Sequence, residues 1–168
     1  MDLCTGTGSV ALELARAVGE DGMVVGLDFS HGMLKKAREK SMVLNLHNLH
    51  FVEADAVMLP FKGACFNAVT CSHAFYELKG SDRKMAVDEV GRVARKGGRF
   101  CLMEHAEPEG RLAKLLFFLR IRFLGSSDAK GFLEKEMDVL SDRFRRVRME
   151  MAPTGKSKLI WGERRDSE

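Results

Sequence analysis

Residues Gly6 to Ala11 read GTGSVA, a G-x-G-x-x-G/A turn followed by a helical pattern. No other feature limits the folds open to this chain so strongly. Glycines at these spacings let the backbone approach a ligand closely, and the helix N-terminus that follows favours negative charge. Such a turn closes a buried strand, yet only Met1, Asp2 and Leu3 precede it. The strand therefore begins almost on top of its own loop.

The remaining sequence supplies a strand-helix rhythm around that turn. Ser9 to Val18 predicts a helix with Val10, Leu14 and Ala17 on one face and Gly19 at its end. MVVGLDF is a short buried strand, after which Ser30 caps a helix with Met33, Leu34, Ala37 and Met42 at helical spacing. LHFVEA and FNAVTCS are two more strands, joined by a loop that Pro60 and Gly63 enforce. Asp82 to Arg95 reads as a helix ending at Gly97-Gly98, with RFCLMEH as the next strand. FRRVRMEMA and SKLIWGER predict an antiparallel hairpin turned at Pro153-Thr154-Gly155. Alternation of this kind implies a parallel sheet with helices on both faces.

At 168 residues, 45% of them apolar, the chain has the size and core of one domain, residues 1–168. Its formal charge of +3 neither demands nor excludes nucleic acid. The arginines at 143, 145, 146, 148, 164 and 165 read as a solvated strand edge. Cys4, Cys65, Cys71 and Cys101 have neither zinc-site nor disulfide spacing, and no basic leader opens the sequence. A reducing cytoplasm suits that pattern. His47 and His50 lie three apart without a Cys or carboxylate at metal spacing, so no metal is expected. EMAPTGKS imitates the end of a phosphate loop but lacks its first glycine and its helix.

Asp28 falls twenty residues after Gly8, at the end of the second strand, where a carboxylate can accept from ribose hydroxyls. Alone, this pairing suits a nicotinamide dinucleotide as well as any other adenosine ligand. Three features alter the balance. Asp2 stands four residues before Gly6, a position hostile to pyrophosphate and favourable to an ammonium or sulfonium. Asp55 ends the third strand, able to accept from an adenine amino group. DEVGRVARKGGRFCLMEH then gives a helix, a Gly-Gly turn and a strand.

In that order the residues resemble class I S-adenosylmethionine-dependent methyltransferases, and most closely the ubiquinone/menaquinone-biosynthesis C-methyltransferases. The matching stretches are DLCTGTG, GLDFSHGMLKKAREK, FVEADAVMLPF and EVGRVARKGGRF. Cys4 replaces the family's first glycine, so little backbone strain is expected there. The resemblance implies a doubly wound, Rossmann-like, seven-stranded α/β sheet, mostly parallel with a C-terminal antiparallel hairpin. It assigns Asp2, Gly6 and Gly8 to the methionine end of S-adenosyl-L-methionine, Asp28 to the ribose, and Met33, Asp55 and Ala56 to the adenine. Ser72 and His73 are implied to face the departing methyl group. Relatives begin their first strand earlier, behind covering helices. The resemblance therefore implies a clipped N-terminus, an open acceptor pocket and weak cofactor binding.

Methyl transfer from a sulfonium is an in-line displacement, so the protein mainly aligns and desolvates the reactants. A general base is needed only if the acceptor loses a proton. His73, Tyr76, Glu104 and His105 are the candidates by position at strand ends, with His73 and Tyr76 foremost. The bland alternatives are a backbone-bonding role for His73 and a solvated strand terminus for Glu104. CSHAFYEL stands where methyltransferases of nucleobase amino groups carry Asn/Asp-Pro-Pro-Tyr/Phe, which disfavours a nucleic-acid acceptor. A small, apolar or aromatic molecule is the expected substrate. An NAD-dependent oxidoreductase and a catalytically silent cofactor-binding module are the rival readings.

RLAKLLFFLRIRFLG, from Arg111, forms one apolar helical face of Leu112, Leu115, Leu116, Leu119 and Phe123. A second face holds Phe117, Ile121 and Leu124, set apart by Arg111, Lys114 and Arg122. Packing on the sheet and against a neighbouring element or subunit is one reading; a lid over a lipophilic acceptor or a membrane-surface contact is the other.

Overall fold

A computed structural model describes residues 1–124 and 129–165, the side chains of residues 122, 124, 129, 130 and 134 excepted. Seven strands form one sheet: β1 (Asp2–Leu3), β2 (Val24–Asp28), β3 (Leu49–Glu53), β4 (Phe66–Ser72), β5 (Ala94–His105), β6 (Phe144–Met151) and β7 (Ser157–Arg164). Their spatial order is β3-β2-β1-β4-β5-β7-β6. The first five pair in parallel, and β7 runs antiparallel to both β5 and β6. The sheet is therefore doubly wound and mixed, with the C-terminal hairpin where the sequence puts it. Chain progression reverses beside β1, which opens a crevice beyond the carboxyl ends of β1 and β4.

The helices are α1 (Ser9–Val18), α2 (His31–Val43), α3 (Gly80–Val93), α4 (Arg111–Leu124) and α5 (Ala129–Ser141). Two apolar clusters mark the sheet's two faces. Ala11, Leu12 and Ala15 of α1 pack on Val24 and Leu49. The larger cluster joins Leu3, Leu27, Val69, Phe100 and Leu102 to α3 through Val87 and Val90, and to α5 through Phe132 and Leu140. Ser30 caps α2 as expected, its hydroxyl accepting from the Met33 N–H.

Several boundaries and faces differ from the expectation. In α1 the buried residues are Ala11, Leu12 and Ala15, while Ala17 is exposed. Alanine brings the helix axis close to the strands, so the small side chains face inward. In α2, Leu34 and Ala37 are buried, whereas Met33 and Met42 are exposed. α3 stops at Val93, and Ala94 already belongs to β5. The carbonyls of Arg92 and Val93 accept from the Ala64 and Cys65 N–H groups, so the chain joins the sheet well before the Gly-Gly pair. That pair sits instead in an irregularity of the β4–β5 ladder. α5 and a 3-10 turn at Phe75–Glu77 had no counterpart in the reading of the sequence.

At the far edge, β6 carries Arg145, Arg146 and Arg148 of the predicted cluster, with Arg143 just before it; Arg164 lies instead on β7, half-buried and donating to the Ala94 carbonyl. Arg145 and Arg146 meet Glu163, and Arg143 meets Asp88 at 2.6 Å. A charged edge with a register shift is poorly suited to pairing with another sheet.

Candidate active site

The crevice holds a cavity of about 620 Å³, within the range of small-molecule sites. Asp2, Gly6, Asp28, Met33, Asp55, Ala56, Ser72 and His73 all line it. These residues come from β1, the glycine loop, β2, α2, the β3 exit and the β4 exit, which the doubly wound order places side by side. Gly8 and Tyr76 are not among the lining residues.

The glycine loop is held from both ends. Thr5 N–H donates to the Leu27 carbonyl, and Gly8 N–H turns back onto the Thr5 carbonyl. Asp28, nearly buried, accepts from Gly6 N–H at 2.8 Å on Oδ2 and from Ser30 N–H at 2.9 Å on Oδ1. Asp2 lies beneath the loop. Its Oδ2 accepts from the Thr5 hydroxyl at 2.6 Å and its Oδ1 from the Thr70 hydroxyl at 2.7 Å. Burial raises its pKa and the two hydroxyls oppose that rise. Cys4 adopts φ 54°, so substitution of glycine there leaves a left-handed non-glycine residue, contrary to the expectation of little strain. Asp55, exposed at the cavity rim, closes a turn by accepting from Val57 N–H.

His73 is also left-handed, at φ 51°. Its N–H extends the sheet by donating to the Met103 carbonyl. The ring stacks on His105 with centroids 4.2 Å apart, and Nε2 lies 3.4 Å from the Ser157 hydroxyl. Nδ1 is buried without a protein partner, a group that a bound molecule or water would satisfy. Burial, then Arg120, lowers the His73 pKa, and burial followed by His73 lowers that of His105 to about 4. Both shifts favour the uncharged rings. Tyr76 sits in the core, its ring 5.5 Å from His105, with its phenol pushed up to about 12 by burial and by Glu77.

Glu104 is no solvated strand terminus: it is completely buried. Its Oε1 accepts from Phe75 N–H at 3.0 Å, fixing the turn that follows His73. Arg83 grips the other side of the turn by donating to the Phe75 and Leu78 carbonyls. Burial, then Glu136, raises the Glu104 pKa to about 8. Glu136 itself rises to about 7 despite its ion pair with Lys158. Folded-state values above the unfolded carboxylate value of 4.5 mean that this stability is full below pH 4.5 and is lost as pH rises to about 8. Glu104→Gln keeps an acceptor for Phe75 and removes the ionisation. The melting temperature of the variant is expected to fall less between pH 5 and 8 than that of the unmutated chain, roughly the interval from the unfolded to the folded pKa. Parallel melting curves across that interval would refute the assignment.

Phe29, the last residue of the predicted MVVGLDF strand, lies just beyond β2 and is 80% exposed at the cavity rim. Its signal was an aromatic residue directly after the strand-end carboxylate. Thr5, Glu77 and Leu78 also line the cavity and carried no comparable signal.

The lining includes four carboxylates, Asp2, Asp28, Asp55 and Glu77, and no lysine or arginine. A cavity of that sign opposes a pyrophosphate and suits a ligand bearing ammonium and sulfonium charge. The residues present thus fit S-adenosylmethionine better than a dinucleotide. Among the described residues no His, Cys, Asp and Glu group could hold a metal ion.

Fold and crevice together define a doubly wound α/β domain with an acidic small-molecule cavity where the strand order reverses. The chain belongs to the methyltransferase-domain family, whose profile matches residues 1–98. Demethylmenaquinone methyltransferase of Shouchella clausii is 34% identical over 135 residues, covering 80% of this chain and 57% of that protein. The enzyme of the same name from Lactococcus lactis is 35% identical over 139 residues, covering 80% and 54%. The chain thus spans about half the length of the curated relatives it matches. Among solved structures, a SAM-dependent methyltransferase from Aquifex aeolicus superposes with TM-score 0.71 at 20% identity, covering 98% of this chain and 80% of the other. A Pyrococcus horikoshii protein gives 0.73 at 22% identity, with the same two coverages. These two likenesses establish the fold. Nothing in the comparisons favours an oxidoreductase.

Proposed function

We propose that this chain binds S-adenosylmethionine in the acidic crevice and methylates a small aromatic acceptor of the quinol kind. The observation that carries the reading is the cavity's sign: four carboxylates and no basic side chain along a glycine loop. The names of the relatives support the acceptor class, and family membership supports the reaction.

When bound, S-adenosylmethionine supplies a methyl group on a positively charged sulfur. Asp28 receives the ribose hydroxyls, while Met33 and Ala56 flank the adenine and Asp55 accepts from its amino group. Asp2, Gly6 and Gly8 serve the methionine end, Gly8 by holding the loop rather than by touching the ligand. Ser72 and His73 border the acceptor side. Carbon methylation of an aromatic ring ends with loss of a ring proton, and His73, whose burial favours the uncharged imidazole, is the base assigned to it in this reading. Tyr76, with its phenol at about 12 and its ring in the core, supports the wall behind His105.

CSHAFYEL after β4 favours a small molecule over nucleic acid. No helix among the described residues is long and apolar enough to cross a membrane. Four free cysteines accord with a reducing, cytoplasmic setting. The test is incubation with methyl-labelled S-adenosylmethionine and a reduced demethylated naphthoquinone. A labelled methyl group bonded to a ring carbon supports the proposal. Label absent from that acceptor, with cofactor bound, overturns the acceptor class.

A further inference from the structure

α4 turns its larger apolar face away from the protein. Leu112, Leu115, Leu116, Leu119 and Phe123 are all exposed, from 43% for Leu119 to 83% for Phe123. At 100° per residue they share one arc roughly 100° wide. The opposite side holds the helix in place: Ile121 is buried, and Phe117 meets His105 edge-on at 6.2 Å. The side chains of Arg122 and Leu124 fall outside the described residues.

The charge on this helix chooses among occupants. RLAKLLFFLRIRFL contains four Lys or Arg and no Asp or Glu. By helical position Arg111 and Arg120, both exposed, flank the apolar arc on its two sides. Lys114 is paired with Glu107 at 2.8 Å, and Glu109 precedes the helix near its N-terminus. A second copy related by a two-fold axis would bring α4 cations against α4 cations. An anionic lipid surface complements them, with the apolar arc entering between the headgroups and the arginines reaching back to phosphates.

We propose that the outer face of α4 seats the protein on an anionic bilayer, from which a membrane-dissolved acceptor reaches the crevice. The inference rests on the methyltransferase reading and adds the surface that delivers its acceptor. The path is short: Phe117 touches His105, His105 stacks on His73, and His73 lines the cavity. The seated face is therefore about one helix diameter, ~10 Å, from the histidine pair.

Sedimentation with vesicles of phosphatidylcholine, with and without phosphatidylglycerol, tests this. The chain is expected to bind the mixed vesicles, less so as salt rises, and to bind phosphatidylcholine weakly. Leu115→Ser with Leu119→Ser should lower the partition coefficient at least about tenfold, since each removes a large exposed apolar group from the contact. Arg111→Gln with Arg120→Gln should reduce the preference for phosphatidylglycerol. Met42→Ser with Val43→Ser, an equally exposed apolar pair on α2, should leave binding unchanged. Absence of vesicle binding, or binding that Leu115→Ser/Leu119→Ser does not weaken, overturns the proposal. So does a concentration-dependent dimer that this double variant dissolves, which would assign the face to a second copy. Titration of the same samples with S-adenosylhomocysteine separates the two readings. Cofactor binding without vesicle binding defeats this inference alone; vesicle binding without cofactor binding defeats the methyltransferase reading and leaves the surface standing.

Discussion

Asp28→Ala is expected to weaken S-adenosylhomocysteine binding by about 2–4 kcal/mol, a rise in Kd of roughly 30- to 1000-fold. The carboxylate serves two purposes in one place. It fixes the glycine loop through Gly6 N–H and the start of α2 through Ser30 N–H. Its remaining lone pairs face a cavity in which a ribose diol would donate two charge-assisted bonds. Alanine abolishes both functions, whereas Asp28→Asn retains one acceptor oxygen and should fall between. Calorimetric titration decides the matter: a Kd for Asp28→Ala within about threefold of the unmutated value removes Asp28 from the ribose site.

The second large effect separates the two glycines of the loop. Gly8 adopts φ 82°, and a Cβ there would stand 3.0 Å from the Cβ of Ala37, a buried residue of α2. Gly8→Ala therefore combines left-handed strain of about 1–2 kcal/mol with overpacking of about 1–3 kcal/mol. The melting temperature should drop by roughly 5–15 °C at the usual sensitivity of a domain this size. Gly6 also has positive φ, but a Cβ there meets no protein atom within 4 Å, and Gly6 lines the cavity. Gly6→Ala should lower the melting temperature by only about 2–6 °C while weakening cofactor binding. Equal thermal losses for the two variants would show that the close approach of Gly8 to α2 does not hold in solution.

Features governed by short-range geometry were legible in the sequence. The glycine turn, the Ser30 cap, β4 at Phe66–Ser72 and the hairpin at Pro153-Thr154-Gly155 each follow from residues within a few positions of one another. Where tertiary packing selects among local options, the structure departs from the pattern in the sequence. In α1 hydrophobicity favoured Val10 and Leu14, yet the strands accept Ala11, Leu12 and Ala15 because the helix packs close. α5 has no clear helical signature in the sequence for a related reason. Phe132, Leu133 and Leu140 are its buried residues in common with the core, and a non-helical Lys135 interrupts their spacing.

Glu104 is the most instructive case. Its position beside His105 at a strand end makes it a candidate base or, alternatively, a solvated terminus, but alternation along β5 places it with Phe100 and Leu102 on the inward face, which excludes the solvated alternative. A carboxylate on a buried face needs a structural partner, and the N–H groups of the turn after His73 provide it. Of the cavity residues, Asp2, Asp28 and Asp55 were legible because each lies in or just beyond a strand close to the carboxyl edge of the sheet, although Asp2 opens β1 and Asp55 falls two residues past β3. Phe29, Glu77 and Leu78 were not, since the walls they form depend on how β2 and the 3-10 turn leave the sheet.

The central claim is that the crevice is built for an S-adenosyl amino-acid ligand rather than for a pyrophosphate-bearing dinucleotide. Calorimetric titration of the 168-residue chain with S-adenosylhomocysteine, and separately with reduced nicotinamide dinucleotide, tests it most directly. One site per chain for S-adenosylhomocysteine, lost in Asp28→Ala, with no heat from the dinucleotide, is the result the acidic lining predicts. Binding of the dinucleotide in preference to S-adenosylhomocysteine would contradict it.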